Sequence, residues 1–230
     1  FGTRQNPCAT WAANTLAPAH VAERYPQSRM VVLSTGNVYP LVPANGSGAT
    51  EDQPLTPLGE YANTAVARER IFEYFADQHG FPCVLLRLNY AVELRYGVLL
   101  DIAQKVHAGH PVDVAMGYFN CLWQGDANER VLRALGLARH PPLALNLTGL
   151  EKISVRALAE QFGQLLGRKP LITGRESEAA LLSNASRAGE LLGRPPTPLD
   201  TMIRWAADWV RRDGPTLNKP TGFQIRDGQF

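Results

Sequence analysis

Residues 31–39 read V-V-L-S-T-G-N-V-Y, an apolar run that ends in two hydroxyl-bearing side chains. Residues 51–61 read E-D-Q-P-L-T-P-L-G-E-Y and end at a tyrosine where an amphipathic helix is expected to begin. A short, continuously apolar run is typical of a strand buried on both faces of a parallel sheet. A strand that ends in Ser34 and Thr35, followed by a loop and by Tyr61 at a helix start, can direct hydroxyl groups at one substrate carbonyl.

Apolar runs and amphipathic stretches alternate along the rest of the chain. The pattern predicts strands at residues 30–34, 82–88, 111–116, 143–147 and 171–173. It predicts helices at residues 11–25, 61–78, 96–108, 126–138, 154–166 and 201–212, and a long loop at residues 40–59. Such alternation favours an α/β fold with a largely parallel sheet, in which ligands bind at the carboxyl ends of the strands.

Several positions signal where helices begin, bend or end. Gly80 is placed to end one helix in a left-handed conformation. Ser154 and Asp200 are placed to cap the starts of two others. Pro18 predicts a bend in the first helix, and residues 214–230 show no periodicity, so an irregular segment is expected there.

Composition and charge argue against several classes of protein. The chain has 230 residues, of which 45% are hydrophobic and 19% charged, as is ordinary for a globular protein. Its net charge of +2 and scattered basic residues argue against a nucleic-acid partner. No apolar run approaches the roughly 20 residues of a transmembrane helix, so no membrane partner is expected. Cys8, Cys83 and Cys121 lack metal spacing, so they are interpreted as reduced and structural in a cytoplasmic protein, with no metal site.

A series of short motifs resembles the extended short-chain dehydrogenases/reductases, which include the NAD-dependent nucleotide-sugar epimerases and dehydratases. The matches are, in chain order, Asn14 in W-A-A-N-T-L, S-T-G-N-V-Y at 34–39, Glu51, Pro54, Pro57, Tyr61, Glu69, L-R-L-N-Y at 86–90, G-D-A at 125–127, L-N-L-T-G at 145–149 and I-S-V-R-A-L-A at 153–159. Each motif alone is weak, whereas their common order and spacing along almost the whole chain are specific.

The resemblance implies a partial Rossmann-like, doubly wound parallel sheet with a smaller C-terminal α/β substrate lobe. Residues 1–94 would be the truncated C-terminal half of a dinucleotide-binding Rossmann domain. Residues 95–230 would mainly form the substrate-binding lobe, and segments within about residues 118–148 would return to the Rossmann sheet.

The resemblance also implies roles for individual residues. Tyr61 would move a proton at the substrate hydroxyl or carbonyl, and Thr35 or Ser34 would hold the same oxygen. Because neighbouring strand residues face opposite ways, only one of these two hydroxyls can serve, and by position it is Thr35. The predicted cofactor-binding residues are Asn14, Tyr61 and Leu88. The predicted substrate-binding residues are Gly36, Asn37, Asn89, Tyr90, Arg95 and Trp123, with Tyr96 and Gln124 as further residues that could line the pocket.

The chain departs from the family pattern at three places. Ala65 stands where a lysine follows the tyrosine by four residues, and alanine can neither bind the ribose nor supply a positive charge. Arg68 is interpreted as a solvated helix arginine, with support of Tyr61 as the alternative. Phe119 stands where nucleotide-sugar enzymes often place a diphosphate-binding arginine, so a nucleotide sugar is not the predicted substrate. No G-x-x-G-x-x-G loop precedes residue 31, so the chain is expected to be a truncated portion that does not bind a dinucleotide tightly by itself.

The predicted function is that of an NAD(P)-dependent oxidoreductase or epimerase/dehydratase-like enzyme acting on a hydroxyl or carbonyl of a sugar-like small molecule. The alternative is a catalytically silent dinucleotide- or ligand-binding sensor protein on the same scaffold, which loss of the lysine would produce. NAD or NADP is the expected cofactor of the full-length protein. The family also implies a homodimer through the helices at Trp11 and Tyr61, with Phe72 and Phe75 either at the interface or in the core.

Overall fold

The structure, a computed structural model, describes residues 5–229. Its helices are, in chain order, α1 Pro7–Trp11, α2 Ala17–Arg24, α3 Gly59–His79, α4 Val98–Ala108, α5 Gln124–Ala134, α6 Val155–Leu166, α7 Ser186–Leu192 and α8 Leu199–Arg211. Its strands are β1 Met30–Thr35, β2 Val42–Pro43, β3 Cys83–Leu88, β4 Ala91–Val92, β5 Pro111–Asp113, β6 Tyr118–Phe119, β7 Leu122–Trp123, β8 Leu143–Leu147, β9 Ile153–Ser154, β10 Leu171–Thr173 and β11 Ala179–Ala180. A π-helical turn, Ala12–Leu16, joins α1 to α2, and short 3₁₀ turns follow β1 and α5.

A parallel sheet in the order β1-β3-β8 organises the molecule. In its register Thr35 lies beside Leu88, and Arg87 lies between Ser34 and Asn146. The predicted α/β fold with a parallel sheet is confirmed. Because the three strands run in the same direction, their carboxyl ends meet at one edge, where parallel α/β sheets bind ligands.

Helices cover both faces of this sheet. One face packs against α2 and α3 through the cluster Ala22, Met30, Val32, Phe72, Ala76, Phe81, Cys83 and Leu85. The other face packs against α5 and α7 through a cluster that includes Val84, Leu86, Ala127, Leu143, Leu145, Leu147, Ala188 and Leu192. Burial on both faces explains why these strands are continuously apolar instead of alternating. Phe72 belongs to the first cluster, and Phe75 packs against it partly buried.

The largest apolar cluster lies beside the sheet and is built on α4, α6 and α8. Ile102, Phe162 and Ile203 represent these three helices in it. The start of α6 is capped as predicted, because Ser154 Oγ accepts the backbone N–H of Ala157 at 3.3 Å. Two short strand pairs accompany the cluster. β5 pairs with β10 in parallel, and β2 pairs with β11 in the antiparallel direction.

Residues 214–229, which we call the C-terminal strap, have no regular secondary structure yet are fastened along their length. The backbone N–H of Leu217 donates to the carbonyl of Arg95 at 3.0 Å. Arg226 Nη1 donates to the carbonyl of Ala179 at 2.8 Å. Phe223 is only 1% exposed and belongs to the largest apolar cluster. The absence of periodicity was predicted, whereas the fixed course of the strap was not.

The helix and strand predictions are confirmed in type, and several boundaries differ. The irregularity predicted at Pro18 takes the form of the π-helical turn just before it. Asp200 does not cap α8, since that helix begins at Leu199 and Asp200 lies in its first turn. The short helix α7 was missed because its seven residues are too few for a clear 3.6-residue period.

Three further observations concern the described part of the chain. Cys83 and Cys121 are buried, Cys8 is exposed, and all three thiols are free. Between residues 5 and 229, no helix combines the length and apolar character needed to cross a bilayer. The same residues include no group of three or more His, Cys, Asp or Glu side chains arranged to hold a metal ion.

Candidate functional site

The carboxyl edge of the sheet opens into a cavity of about 330 Å³. Its lining consists of Ser34, Thr35, Asn37, Tyr61, Leu88, Asn89, Tyr90, Ala91, Val92, Tyr96, Gly97, Val98, Gln124 and Thr221. The cavity therefore lies where four segments meet: the end of β1, the start of α3, the segment after β3 and the C-terminal strap. Seven of the residues predicted for the site from the sequence lie in this lining, together with Tyr96 and Gln124.

Thr35 is the strand-end hydroxyl best placed to serve a ligand. Its Oγ1 accepts both the backbone N–H and the Nδ2 group of Asn37, each at 3.2 Å. These contacts use Thr35 as an acceptor, which leaves its proton available for donation to a substrate oxygen. The hydroxyl of Ser34 instead donates a short hydrogen bond to Glu69. The two side chains thus divide as strand alternation requires, with Ser34 held by the protein interior.

A buried polar network stands behind Ser34. Glu69 is fully buried and accepts Arg87 Nε at 3.1 Å and Nη2 at 2.8 Å. Burial alone would lower the pKa of Arg87, but the hydrogen bonds and charge of Glu69 outweigh it and raise that pKa above its ordinary value. Arg87 Nη1 also donates to Tyr39 Oη at 2.7 Å, and Tyr39 Oη donates to Asn146 Oδ1 at 2.8 Å. The network ties all three strands of the sheet to α3.

Sequence reasoning matched Glu69 to the family but gave it no partner. It included Arg87, Tyr39 and Asn146 in matched motifs without assigning them a role. A usable signal was present in the strand L-L-R-L, where a guanidinium stands among apolar residues. A charge in a buried strand requires a partner of opposite charge, because an unpaired buried charge is very costly.

Tyr61 lies in the first turn of α3, and the strap fixes where that turn begins. Gly59 has a φ of +78°, and a Cβ added there would overlap the carbonyl oxygen of Gly228 in the strap. Only glycine combines this backbone conformation with so close an approach. Asn63 Nδ2 donates to the carbonyl of Gly59 at 2.8 Å, which ties the first turn together around Tyr61.

Ala65 leaves no cation at the position four residues after Tyr61. Its side chain is fully buried in the largest apolar cluster. The nearest cation along α3 is Arg68, which is not solvated as interpreted from the sequence. Burial lowers the pKa of Arg68, and the negative charges of an ionised Tyr61 and of Glu69 offset part of this effect. Arg68 is therefore a partly buried cation on the same helix as Tyr61.

Asn14 connects the first helices to α3. Its Oδ1 accepts Arg68 Nη1 at 3.0 Å, and its Nδ2 donates to Thr64 Oγ1 at 2.8 Å. Thr64 Oγ1 in turn donates to the carbonyl of Tyr61 at 2.8 Å. Asn14 is not in the cavity lining, so its contacts place it behind Tyr61.

Polar residues in the segment after β3 also line the cavity. Asn89 is 3% exposed, and its Nδ2 donates to Asn120 Oδ1 at 2.9 Å. Tyr90 has a φ of +43°, and burial raises the pKa of its phenol. Burial also raises the pKa of Tyr96, with the negative charges of Asp101 and of an ionised Tyr61 adding to the effect. Both phenols therefore stay protonated and can donate hydrogen bonds at neutral pH.

Three residues predicted to bind substrate lie outside the lining. Arg95 pairs with Glu93 at 3.0 Å. Trp123 packs edge-on against Trp205, with ring centroids 5.2 Å apart. Gly36 is buried, and a Cβ there would press on Asn89. Trp123 and Gly36 therefore have a packing role in the structure.

A second cavity, of about 440 Å³, lies around Asn120, Lys152 and Arg194. Neither Thr35 nor Tyr61 lines it. Its Lys152 Nζ already donates to a backbone carbonyl at 2.7 Å. The convergence of Thr35 and Tyr61 is therefore a property of the smaller cavity at the sheet edge.

The fold and the cavity together define an α/β protein with a hydroxyl-rich ligand site at the carboxyl edge of a parallel sheet. Residues 3–118 match the model of the NAD dependent epimerase/dehydratase family. The chain belongs to that family. No curated protein matches it.

Solved structures of similar fold include several enzymes of nucleotide-sugar chemistry. UDP-glucose 4-epimerase of Thermus thermophilus, in complex with NAD, has a TM-score of 0.74 at 21% identity, over 91% of this chain and 73% of that one. dTDP-glucose 4,6-dehydratase of Bacillus anthracis, also with NAD, has a TM-score of 0.75 at 16% identity, over 88% and 69%. UDP-glucuronic acid 4-epimerase of Bacillus cereus has a TM-score of 0.73 at 16% identity, over 86% and 67%. At these identities the similarity establishes the fold.

Proposed function

We propose that the protein is an NAD(P)-dependent oxidoreductase or epimerase/dehydratase-like enzyme that acts on a hydroxyl or carbonyl group of a sugar-like small molecule. The observation that carries the proposal is that Thr35, from the end of β1, and Tyr61, from the start of α3, line one cavity at the sheet edge. A hydroxyl donor and a phenol in one cavity can bind the same substrate oxygen and exchange a proton with it.

The roles follow from the contacts. Thr35 would hold the reacting oxygen, and Tyr61 would donate or remove its proton. Ser34 would act as a positioning residue through its bond to Glu69. Asn37, Asn89 and Tyr90 would bind substrate hydroxyls.

The cavity suits the nicotinamide end of the family's cofactor. Leu88, Ala91 and Val92 give it an apolar wall on which a flat ring can pack, and Tyr61 stands in the same lining. NAD or NADP, when bound, would supply a hydride acceptor or donor. Tyr61 and Leu88 would hold it directly, and Asn14 would support that site from behind α3.

The competing function is a dinucleotide- or ligand-binding sensor without turnover. The observation that favours it is the full burial of Ala65 in an apolar cluster, which leaves no ammonium group beside Tyr61. Binding of cofactor and sugar without conversion of either would support this alternative.

The test compares Tyr61→Phe with Tyr74→Phe in protein expressed from its complete coding sequence, with NAD or NADP and a panel of sugars. Loss of the Tyr61 phenol should lower turnover by about 10²-fold or more and leave cofactor affinity nearly unchanged. Tyr74 is a matched control, because it is a tyrosine of the same helix that is 59% exposed. Unchanged turnover in Tyr61→Phe would remove this residue from the mechanism.

A further inference from the structure

We infer that the substrate is an uncharged polyhydroxylated molecule without a phosphate or nucleotide group, and that the C-terminal strap enforces this limit. The inference deepens the proposed function and rests on it. It stands on the charge of the cavity lining, on the groups at the start of α4 and on the course of the strap.

The cavity lining is polar but neutral. None of the fourteen described residues that line it is acidic or basic. Its polar side-chain groups are the carboxamides of asparagine and glutamine and the hydroxyls of Ser34, Thr35, Tyr61, Tyr90, Tyr96 and Thr221. Such groups match the hydroxyls of a sugar, whereas phosphate and diphosphate groups are recognised by arginine and lysine.

Three arginines on segments that border the cavity are already engaged. Arg95 pairs with Glu93 and lies outside the lining. Arg226 Nη1 donates to two backbone carbonyls at 2.8 and 3.3 Å. Arg68 is bonded to Asn14 behind Tyr61. A phosphate in the cavity would therefore have to break existing contacts to meet any of these three guanidinium groups.

The N-terminus of α4 is a further feature that could attract an anion, since Gly97 and Val98 are in the lining. The first turn of this helix carries Asp101, whose carboxylate opposes a second negative charge. Asp101 Oδ2 accepts the backbone N–H of Thr221 at 3.0 Å and its hydroxyl at 2.5 Å. The helix start is thus occupied by an acidic side chain and by the strap.

The strap also limits the length of the ligand. Besides its bond to Asp101, the strap is held at Phe223, whose ring lies 6.3 Å from that of buried Phe119. Farther on, Gly228 presses against Gly59 at the start of α3. The volume of about 330 Å³ is near the lower end of the roughly 300–1,000 Å³ usual for small-molecule sites. A nicotinamide ring and a monosaccharide would fill it, and Thr221 of the strap forms part of its wall.

The decisive experiment offers each hexose of a panel as the free sugar, the 1-phosphate and the UDP ester to protein expressed from its complete coding sequence. We expect kcat/KM for the free sugar to exceed that of either ester by about tenfold or more, because an unpaired charge would be buried. Equal or greater kcat/KM with an ester would overturn the inference and leave the proposed function standing. No turnover of any compound would overturn the proposed function, and the inference with it.

Adding a positive charge to the cavity lining tests the cause of the discrimination. Gln124 lines the cavity and is partly exposed, and its side chain bonds Asn128 on the same helix at 2.9 Å. Gln124→Arg should raise the ratio of kcat/KM for the 1-phosphate over the free sugar by about tenfold. Gln104→Arg makes the same charge change on the exposed side of α4 and should leave the ratio unchanged. An unchanged ratio in Gln124→Arg would show that missing cations do not exclude the phosphate.

Discussion

Arg87 and Glu69 show how single residues hold the site in place. Their side chains are 5% and 0% exposed, and they are joined by several hydrogen bonds that also reach Ser34 and Tyr39. A buried ion pair contributes little to net stability compared with a well-packed apolar pair, but removing one partner leaves a buried charge uncompensated. The pair therefore makes the strand ends sensitive to substitution.

Replacing Arg87 with Met should lower the free energy of unfolding by about 3–5 kcal/mol, because Glu69 would remain buried and unpaired. Arg204→Met is the matched control, since Arg204 and Asp200 form an ion pair with side chains 70% and 58% exposed. That change should cost less than about 1 kcal/mol. Urea unfolding at neutral pH measures both, and similar losses in the two variants would contradict the argument.

Arg68 offers a test of how α3 is held to the first helices. Its Nη1 donates to Asn14 Oδ1 at 3.0 Å, so Arg68→Met should lower the free energy of unfolding by about 1–3 kcal/mol, because the partly buried amide oxygen of Asn14 loses a charged donor. Arg70→Met is the control on the same helix, since Arg70 is 62% exposed and pairs with Glu73, and this change should cost less than about 1 kcal/mol. Urea unfolding measures both variants, and equal losses would contradict a stabilising role for the bond between Arg68 and Asn14.

The order of the motifs and the family resemblance predicted Thr35 and Tyr61 at one site, and both line the cavity at the sheet edge. Their catalytic roles stay predictions. The contacts of Asn14 and Arg68 could not be predicted in the same way. They join residues 54 positions apart and depend on how α1 and α2 pack against α3.

At the scale of helices and strands, the boundaries best predicted from the sequence are those that the backbone conformation of a single residue sets. Gly80 ends α3 with a φ of +71°, and its N–H donates to the carbonyl of Ala76 at 2.7 Å. Leu58 precedes α3 without a side-chain cap, so the beginning of that helix depends on Gly59 and the strap. The end of α3 is therefore evident in the sequence, whereas its beginning depends on tertiary structure.

Gly80→Ala should destabilise the protein by about 1 kcal/mol, because an alanine in the left-handed region has a steric cost. Gly136→Ala is the matched control: neither glycine has an atom within 4 Å of an added Cβ, and only Gly80 has a positive φ. The control should be neutral or slightly stabilising. Thermal unfolding separates the two, and an equal effect would show that backbone conformation is not the cause.

At the scale of the whole molecule, the alternation of strands and helices was sufficient to predict the parallel sheet, and the family resemblance is confirmed. The course of the strap was beyond such reasoning, because an irregular segment carries no period. Its position is set by contacts with α4, with Phe119 and with the start of α3. These contacts make it part of the largest apolar cluster.

Phe223→Ala should therefore lower global stability by about 3–5 kcal/mol, as expected for emptying a buried aromatic site. Leu217→Ala, in the same strap but 47% exposed, should have a much smaller effect. Hydrogen exchange reports whether protection falls throughout the sheet or only in the strap. A loss confined to residues 214–229 would mean that the strap unfolds separately.

The hydrogen bonds between Asp101 and Thr221 join positions 120 apart, and the bond from Asn146 N–H to the Glu51 carboxylate joins positions 95 apart. Chains with many contacts of such large sequence separation have a high contact order and fold slowly, because loop-closure entropy is lost before the contacts form. We therefore expect β1, β3 and α3 to associate early in refolding. The contacts of the C-terminal strap with α4 should form among the last.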